Sequence, residues 1–417
     1  MSRKGRRANF GNARGLISLI ALVVAGVAVG WLSFKSALVG ALPANAPGVV
    51  RFASNHPDVV LSRATSLLIA QRGVLEPGML VAVQHAAMAA PLDARGYLIL
   101  GHQQLLDAMP QRALATLEAG QRLDPRHRLI HLLLLDRYLR TARYANAATQ
   151  FSVLARLMGG AQPAIATAMA QMIVTPETRD AVRRTLRTDP GLERAVLVSL
   201  ARSNTSPATV FELASPIARA EARQTNSWGP VLVNRLIDQA HYATARSVWQ
   251  KIYGISAAQA AIPIINPDFR KVPATPPFDW IITASGLGAA DLQNGRMSVE
   301  YYGRDSGDLA TQLLVLRPGR YRYAFTVDPG KTDATSRLFW SLACGSPKKP
   351  EGLRMNVGIV PAAKPRRIVA DLVIPSDCPV QTLTLRGEAD DFPAPIAVEL
   401  SDLDLRPTST ASSEPTS

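Results

Sequence analysis

Thirty-four residues separate Pro91 from Pro125, Leu98 from Leu132, and Ala113 from Ala147. A recurrence of that length constrains the fold more than any single motif, because it fixes a repeated supersecondary unit. Each period has room for two helices and their turns. Ala113 and Ala147 mark where two antiparallel helices approach closely, since a larger side chain there would push the backbones apart. The prolines then end the second helix of each pair.

The stretch "AAMAAPLDARGYLILGHQQLLDAMPQRALATLEAGQRLDPRH" resembles tetratricopeptide-repeat proteins, from about residue 76 to 158. The resemblance implies an α-solenoid whose concave groove holds a segment of a partner protein. A looser echo, "HYATARSVWQKIYG" at 241–254, places Tyr242, Ala245 and Trp249 where Tyr144, Ala147 and Phe151 stand. The TPR-like solenoid is therefore expected over residues 50–262, with irregular helices at 160–230. There, Thr175-Pro176, Asp189-Pro190 and Ser206-Pro207 each read as an N-cap followed by proline at the first helical position. "RLIHLLLLDRYL" at 128–139 is too short to span a bilayer and reads as the buried helix of an inner repeat. All six histidines precede residue 260 without a metal-ligand spacing, and each reads as a helix-surface or groove residue.

Residues 15–34, "GLISLIALVVAGVAVGWLSF", carry no charge and span about 30 Å as a helix, the thickness of a bilayer's hydrocarbon core. They are expected to form a transmembrane helix. Five basic residues in the tail at 1–14 precede it and only Lys35 follows closely, so the tail is placed in the cytoplasm and the bulk across the membrane. The alternative is a signal peptide cut after "ANA" at 44–46. The apolar run is long for that role, and Pro47 would follow the cut directly.

The formal net charge is +14, and the first fourteen residues supply five of these charges. No other basic run and no nucleic-acid motif occurs, so nucleic acid is not expected as a partner. A charged surface of this kind is either a solvated arginine-rich exterior or an attractive field for anionic lipid or acidic polysaccharide.

Five prolines in "PIINPDFRKVPATPP" stop the helices, and residues 263–277 are expected to be a Pro-rich linker. Beyond it the period becomes two: Tyr321, Tyr323, Phe325 and Val327 share one strand face, and Arg320, Arg322 and Thr326 the other. Eight such runs joined by Gly, Pro and Asp turns argue for an antiparallel β-sandwich over 278–406. In "VELSDLDLRP" the apolar phase slips at Ser401, as at a bulge. Residues 407–417 are expected to be a disordered tail. Cys344 and Cys378 are the only cysteines. Outside the cytoplasm they can form a disulfide, and otherwise they are two buried thiols.

The turn "RPGRY" opening a strand and the closing strand "ELSDLDL" are similar to the jelly rolls of carbohydrate-binding modules. Joined to a membrane-anchored repeat domain, the arrangement also resembles a family of alphaproteobacterial envelope proteins associated with exopolysaccharide production. The resemblance implies glycan contact by the sandwich. The fold class expected is thus multidomain, α then β: transmembrane helix, solenoid, jelly-roll-like sandwich.

The sandwich contains no histidine, which excludes a Ser-His-Asp triad or histidine-bound metal within it. "GRDSG" at 303–307 is not a nucleophile elbow, and "GLGAAD" at 286–291 lacks the third glycine of a dinucleotide site. No catalytic residue, metal or cofactor is expected. Glycan-binding candidates are Trp280 and Tyr302 as stacking faces, with Arg304, Arg320 and Arg322 as a cationic patch beside Tyr302 for an acidic polysaccharide. The alternative is an ordinary polar sheet face. By alternation, Tyr301 and Trp340 belong to the core. The chain is read as a non-enzymatic scaffold of the inner membrane, single-pass, with its bulk periplasmic, assisting exopolysaccharide or envelope-glycan assembly or export. Alternatives are a scaffold for protein alone and, in third place, a polysaccharide-modifying enzyme, which requires a carboxylate pair in a cleft.

Overall fold

The computed structural model describes residues 26–35, 37, 39, 41–43, 46–70, 73–273, 276–328, 337–346, 349–360, 364–391 and 394–408. The basic tail at 1–14, residues 15–25 of the expected span and residues 409–417 of the expected tail lie outside them. Residues 26–35 are helical (α1), and among the described residues no helix is long and apolar enough to cross a membrane. The chain divides into two compact units, Met1–Thr188 and Asp189–Ser417.

The first unit is helical. After α2 (Pro47–Phe52) come α3 (Pro57–Ala70), α4 (Pro77–Ala89), α5 (Ala94–Leu106), α6 (Pro110–Leu123), α7 (Arg128–Arg140), α8 (Tyr144–Leu157), α9 (Gln162–Val174) and α10 (Pro176–Arg187). Helices α5, α7 and α9 begin at 94, 128 and 162, so the 34-residue period runs through one more pair than the residue matches indicate. The third pair keeps the small residue, Ala181, buried 34 residues after Ala147, but has Gly159 where the proline of the earlier repeats stands. Ala113 and Ala147 are fully buried, as the close helix approach requires. Gly101 does the same work: a Cβ there would stand 2.7 Å from Leu117 Cγ.

Helix α7 is not buried all round. Ile130, His131, Leu134 and Tyr138 face inward while Leu132 and Leu139 are exposed, because an end-on stack of helix pairs covers only part of each helix. His131 is a buried residue rather than a surface one. Its Nε2 lies 2.9 Å from the Pro125 carbonyl and its Nδ1 against the Gln150 amide, so both ring nitrogens are satisfied between helices.

The second unit opens with α11 (Pro190–Arg202), α12 (Pro207–Leu213), α13 (Pro216–Ala220), α14 (Trp228–Asp238), α15 (Tyr242–Tyr253) and α16 (Ala257–Ala260). Asp189 and Ser206 cap α11 and α12 as expected, through Leu192 N and Thr209 N. Thr175 precedes Pro176 but makes no cap, since its hydroxyl donates to the Gln171 carbonyl instead. The buried Glu193 carboxylate accepts from Ser215 N and Oγ, both at 2.8 Å, and fixes the start of α13. Ala245 and Trp249 are buried on α15.

Among the described residues eleven strands follow: β1 (Ile281–Ile282), β2 (Ala284–Ser285), β3 (Gly288–Gln293), β4 (Arg296–Tyr301), β5 (Gly307–Leu314), β6 (Gly319–Val327), β7 (Arg337–Ser346), β8 (Lys349–Ile359), β9 (Arg366–Ile374), β10 (Gln381–Glu388) and β11 (Ile396–Pro407). They form two antiparallel sheets, β1-β5-β10-β7-β8 and β2-β3-β4-β11-β6-β9. From β4 onward the chain changes sheet at every connection except the β7–β8 hairpin, the habit of a jelly roll. Trp340, Leu342, Leu383 and Leu385 from one sheet meet Tyr301, Tyr323, Phe325 and Leu400 from the other in a single core. The slip at Ser401 is a bulge: the β6 register shifts between Ser401 and Asp404, and Asp402 adopts φ +52°.

Two expected boundaries move. Helices α11–α16, expected to belong to the solenoid at 50–262, share a unit with the strands. Residues 263–273 of the expected linker at 263–277 pack with the sandwich, because Ile264 and Phe269 are buried in its core and Pro267 O accepts from Leu403 N at the bulge. Arg246 on α15 donates to the carbonyls of Ile262 and Val315, and Trp249 meets Phe278 edge-on.

Candidate functional site

The six-stranded sheet carries the arginine face expected from the alternation. Tyr321, Tyr323 and Phe325 point into the core, while Arg320 and Arg322 are exposed. The face is nevertheless partly neutralised from within. Arg322 Nε donates to Asp371 Oδ1 at 2.9 Å, and this bond holds the Asp371 carboxyl below its ordinary pKa. Nearby, Arg406 pairs with Asp404 at 2.8 Å, and Arg296 with Glu399 at 2.6 Å.

Nor do the candidates converge. Tyr301 pairs with Ile396 at one end of β11, whereas Arg322 pairs with Arg406 near the other. Ten residues of strand intervene, roughly 30 Å at about 3.3 Å per residue. Tyr302 is 37% exposed and Arg304 follows it in a turn, so this pair stands apart from Arg320 and Arg322. The single cationic patch beside Tyr302 is not assembled, because strand register places its members at opposite ends of the sheet.

Trp280 offers no stacking face. It is 2% exposed, packs 5.7 Å from Trp340 and 5.8 Å from Phe269, and donates its indole N–H to the Asn266 carbonyl. Cys344 and Cys378 form a disulfide that ties β7 to the β9–β10 connection across 34 residues.

The outer face of the five-stranded sheet carries an arrangement that a search for aromatics overlooks. The register aligns Ile281, Thr311, Thr384, Ser341 and Asn356 in one row across β1, β5, β10, β7 and β8. With strands about 4.8 Å apart, the row is about 19 Å long. It carries three hydroxyls and an amide and no charge. Among the described residues, the Thr311 and Thr384 hydroxyls and the Asn356 amide have no hydrogen-bond partner, and Ser341 makes only a long 3.5 Å bond to the Thr384 carbonyl. Thr311 and Thr384 are 9% and 8% exposed, so their hydroxyls are met only by a ligand that settles onto the sheet. The neighbouring row sets the half-buried Phe339 beside Arg386, which pairs with Asp308 at 2.7 Å. The signal was legible in "VQTLTLRG", where threonines alternate with core leucines. Its partners were not, since β8 carries Pro350, Gly352 and Gly358 and reads poorly as a strand.

A cleft of about 520 Å³ lies at the bulge of β11, lined by Asp268, Asp402 and Asp404 together with Arg367 and Arg406. Asp404 is engaged by Arg406, and Asp402 accepts from the Thr326 hydroxyl at 3.4 Å. Among the described residues no group of three or more His, Cys, Asp or Glu side chains is arranged to hold a metal ion.

In the helical unit, the last turns of the successive helices α3, α5, α7 and α9 each carry an exposed apolar residue: Ile69, Leu106, Leu139 and Val174. Arg95 fixes the first two of these helices. It donates to both carboxylate oxygens of Asp93, at 3.0 and 3.1 Å from Nε, and to Asp58 and Ser62 on α3.

No family model matches the chain, and no curated protein matches it. Among solved structures, the chain is similar to a CBM4 protein, at 16% identity over 35% of this chain and 99% of that one, with a TM-score of 0.28. The N-terminal cellulose-binding domain of Cellulomonas fimi β-1,4-glucanase C is similar at 18% identity, covering 36% of this chain and 99% of its own, with a TM-score of 0.25. A thermophilic TPR protein of Thermus thermophilus is similar at 15% identity, covering 47% of this chain and 96% of its own, with a TM-score of 0.25.

Proposed function

We propose that the protein is a non-enzymatic scaffold that binds a hydroxyl-rich glycan on the five-stranded sheet and a protein segment on the helical unit. The observation that carries this reading is the uncharged row of Thr311, Thr384, Ser341 and Asn356. Unpartnered hydroxyl and amide groups exchange hydrogen bonds with sugar hydroxyls in both directions, and Phe339 beside them supplies an apolar surface for pyranose C–H groups. Such a row suits a neutral stretch of glycan better than the acidic polysaccharide expected from Arg304, Arg320 and Arg322, of which Arg322 is already engaged by Asp371.

The recurrence of Ile69, Leu106, Leu139 and Val174 supports the second half of the reading. An extended or helical peptide can meet apolar residues presented by the last turns of successive repeats. The absence of catalysis is part of the proposal: Asp404, in the cleft that comes nearest to a hydrolase site, is held by Arg406 rather than offered as a general acid.

In the cell, the run at 15–34 anchors the chain in the inner membrane with the tail at 1–14 cytoplasmic and the remainder periplasmic. The Cys344–Cys378 disulfide supports an oxidising compartment for the second unit. The setting is exopolysaccharide or envelope-glycan assembly or export.

The test is binding of the full-length protein to a glycan array, compared with the Thr311→Val/Thr384→Val variant. Valine keeps the shape and strand preference of threonine while removing both hydroxyls. Retention of neutral glycans should fall at least about ten-fold, as expected for two lost hydrogen bonds. Equal retention by variant and parent discards the row as the glycan site.

A further inference from the structure

Strand β9 ends the six-stranded sheet, and it lacks the bulge, the proline and the lysine that often blunt such an edge. Its nine residues, "RRIVADLVI", pair with β6 from Gly319↔Ile374 to Val327↔Arg366 without a bulge. It contains no proline, glycine or lysine, and its outer face exposes Val369 at 54% and Val373 at 56%. A long, regular strand with apolar side chains, whose outer row of backbone donors and acceptors has no strand partner among the described residues, is a template for another strand.

The order of its side chains names that strand. Arg367 and Asp371 lie two residues to either side of Val369, on the same outward face. A second β9 laid antiparallel with its Val369 opposite the first sets each Arg367 against an Asp371, and sets Ile368 against Ala370 on the inner face. Val369 then meets its own copy and Arg367 meets Asp371 twice, the self-complementarity of an isologous two-fold contact, while Arg366 falls opposite Leu372 at the ends of the pairing. Displaced by one pairing step, Arg367 faces Val373 and Asp371 faces Val369, and the complementarity is lost. Among the described residues Arg367 has no ion-pair partner, and Asp371 accepts from Arg322 mainly through Oδ1, leaving Oδ2 for a second arginine.

We infer that β9 is a self-pairing edge, through which two copies of this chain join antiparallel about a two-fold axis at Val369 and fuse their six-stranded sheets. The inference stands apart from the glycan reading, whose row lies on the other sheet.

Sedimentation equilibrium of the full-length protein in a mild detergent tests it. The parent should be a dimer. Arg367→Glu and Asp371→Arg should each weaken the dimer by about ten-fold or more, since each puts two like-charged pairs directly opposite one another. The double variant should recover it, because the swapped charges again meet their complements across the axis. Val369→Cys provides a second measurement with little effect on folding. It introduces the one free thiol among disulfide-bonded cysteines, and paired strands bring its Cα within about 4.5–5.5 Å of its mate, within disulfide reach. Mild oxidation should give a covalent dimer from Val369→Cys and not from Val373→Cys. A monomeric parent, a dimer unmoved by either single charge swap, or equal cross-linking at 369 and 373 overturns the inference.

Discussion

Trp280 donates its indole N–H to the Asn266 carbonyl at 3.2 Å, a bond that joins the proline-rich stretch after the helices to the centre of the sandwich core. Asn266 in turn exchanges two hydrogen bonds with the backbone of Lys271, at 2.8 and 3.1 Å, so the stretch folds on itself before it meets the strands. Replacing Trp280 by alanine removes that bond and leaves a cavity beside Trp340 and Phe269. We predict a loss of about 3–5 kcal/mol, measurable by urea unfolding of the full chain. A loss under about 1 kcal/mol would show that the segment is a tether after all.

The Cys344–Cys378 disulfide closes 34 residues that include β8 and β9, both edge strands. Closure of a loop that size restricts the unfolded chain by about 3–4 kcal/mol in the entropic picture. The Cys344→Ser/Cys378→Ser variant should show that loss. A reducing agent should lower the melting temperature of the parent and leave that of the variant unchanged.

Asp93 gives the helical unit a pH-dependent element. Burial pushes its carboxyl pKa up, but the hydrogen bonds and charge of Arg95 outweigh burial and hold it below the ordinary value. A depressed folded-state pKa means the stabilisation is complete above the unfolded range, about 3.9, and fades as pH falls through the folded value. Asp93→Asn should therefore flatten the acid limb of helical stability below about pH 4, followed by far-ultraviolet circular dichroism during melting. An acid limb identical to the parent's would show that the pair contributes nothing.

The two faces of the sandwich make opposite predictions for glycan. Arg320→Glu/Arg322→Glu should leave retention on a neutral-glycan affinity gel within about two-fold of the parent, because bidentate or charge-assisted contacts are not what the uncharged row offers. If this variant abolishes retention while Thr311→Val/Thr384→Val does not, the ligand sits on the arginine face.

The repeat was legible because a 34-residue period survives in small residues and prolines that pack against fixed neighbours, as Ala113 and Ala147 do. Core assignments within strands were legible for a related reason. Alternation places Tyr301, Tyr323 and Trp340 inside whatever the partners of their strands are. The one-residue phase slip at Ser401 likewise announces a bulge before the partner strand is known.

Pairing was not legible in this way. Nothing local to Tyr302 or Arg322 states that β11 separates them along its length, since register depends on strands distant in sequence. Trp280 carries no local mark of its burial, which is supplied by Phe269 and by Trp340, sixty residues later. The row of Thr311, Thr384, Ser341 and Asn356 exists only once four strands are in register. Local spacing and side-chain chemistry alone carried the helical period, the change to strands after residue 277, the inward side of the alternating strands such as β6 and β7, and the pair of cysteines. The tertiary structure decided where the units divide, which charges neutralise one another and which polar groups stand unpartnered, because each of these is settled by contacts between residues that the chain keeps far apart.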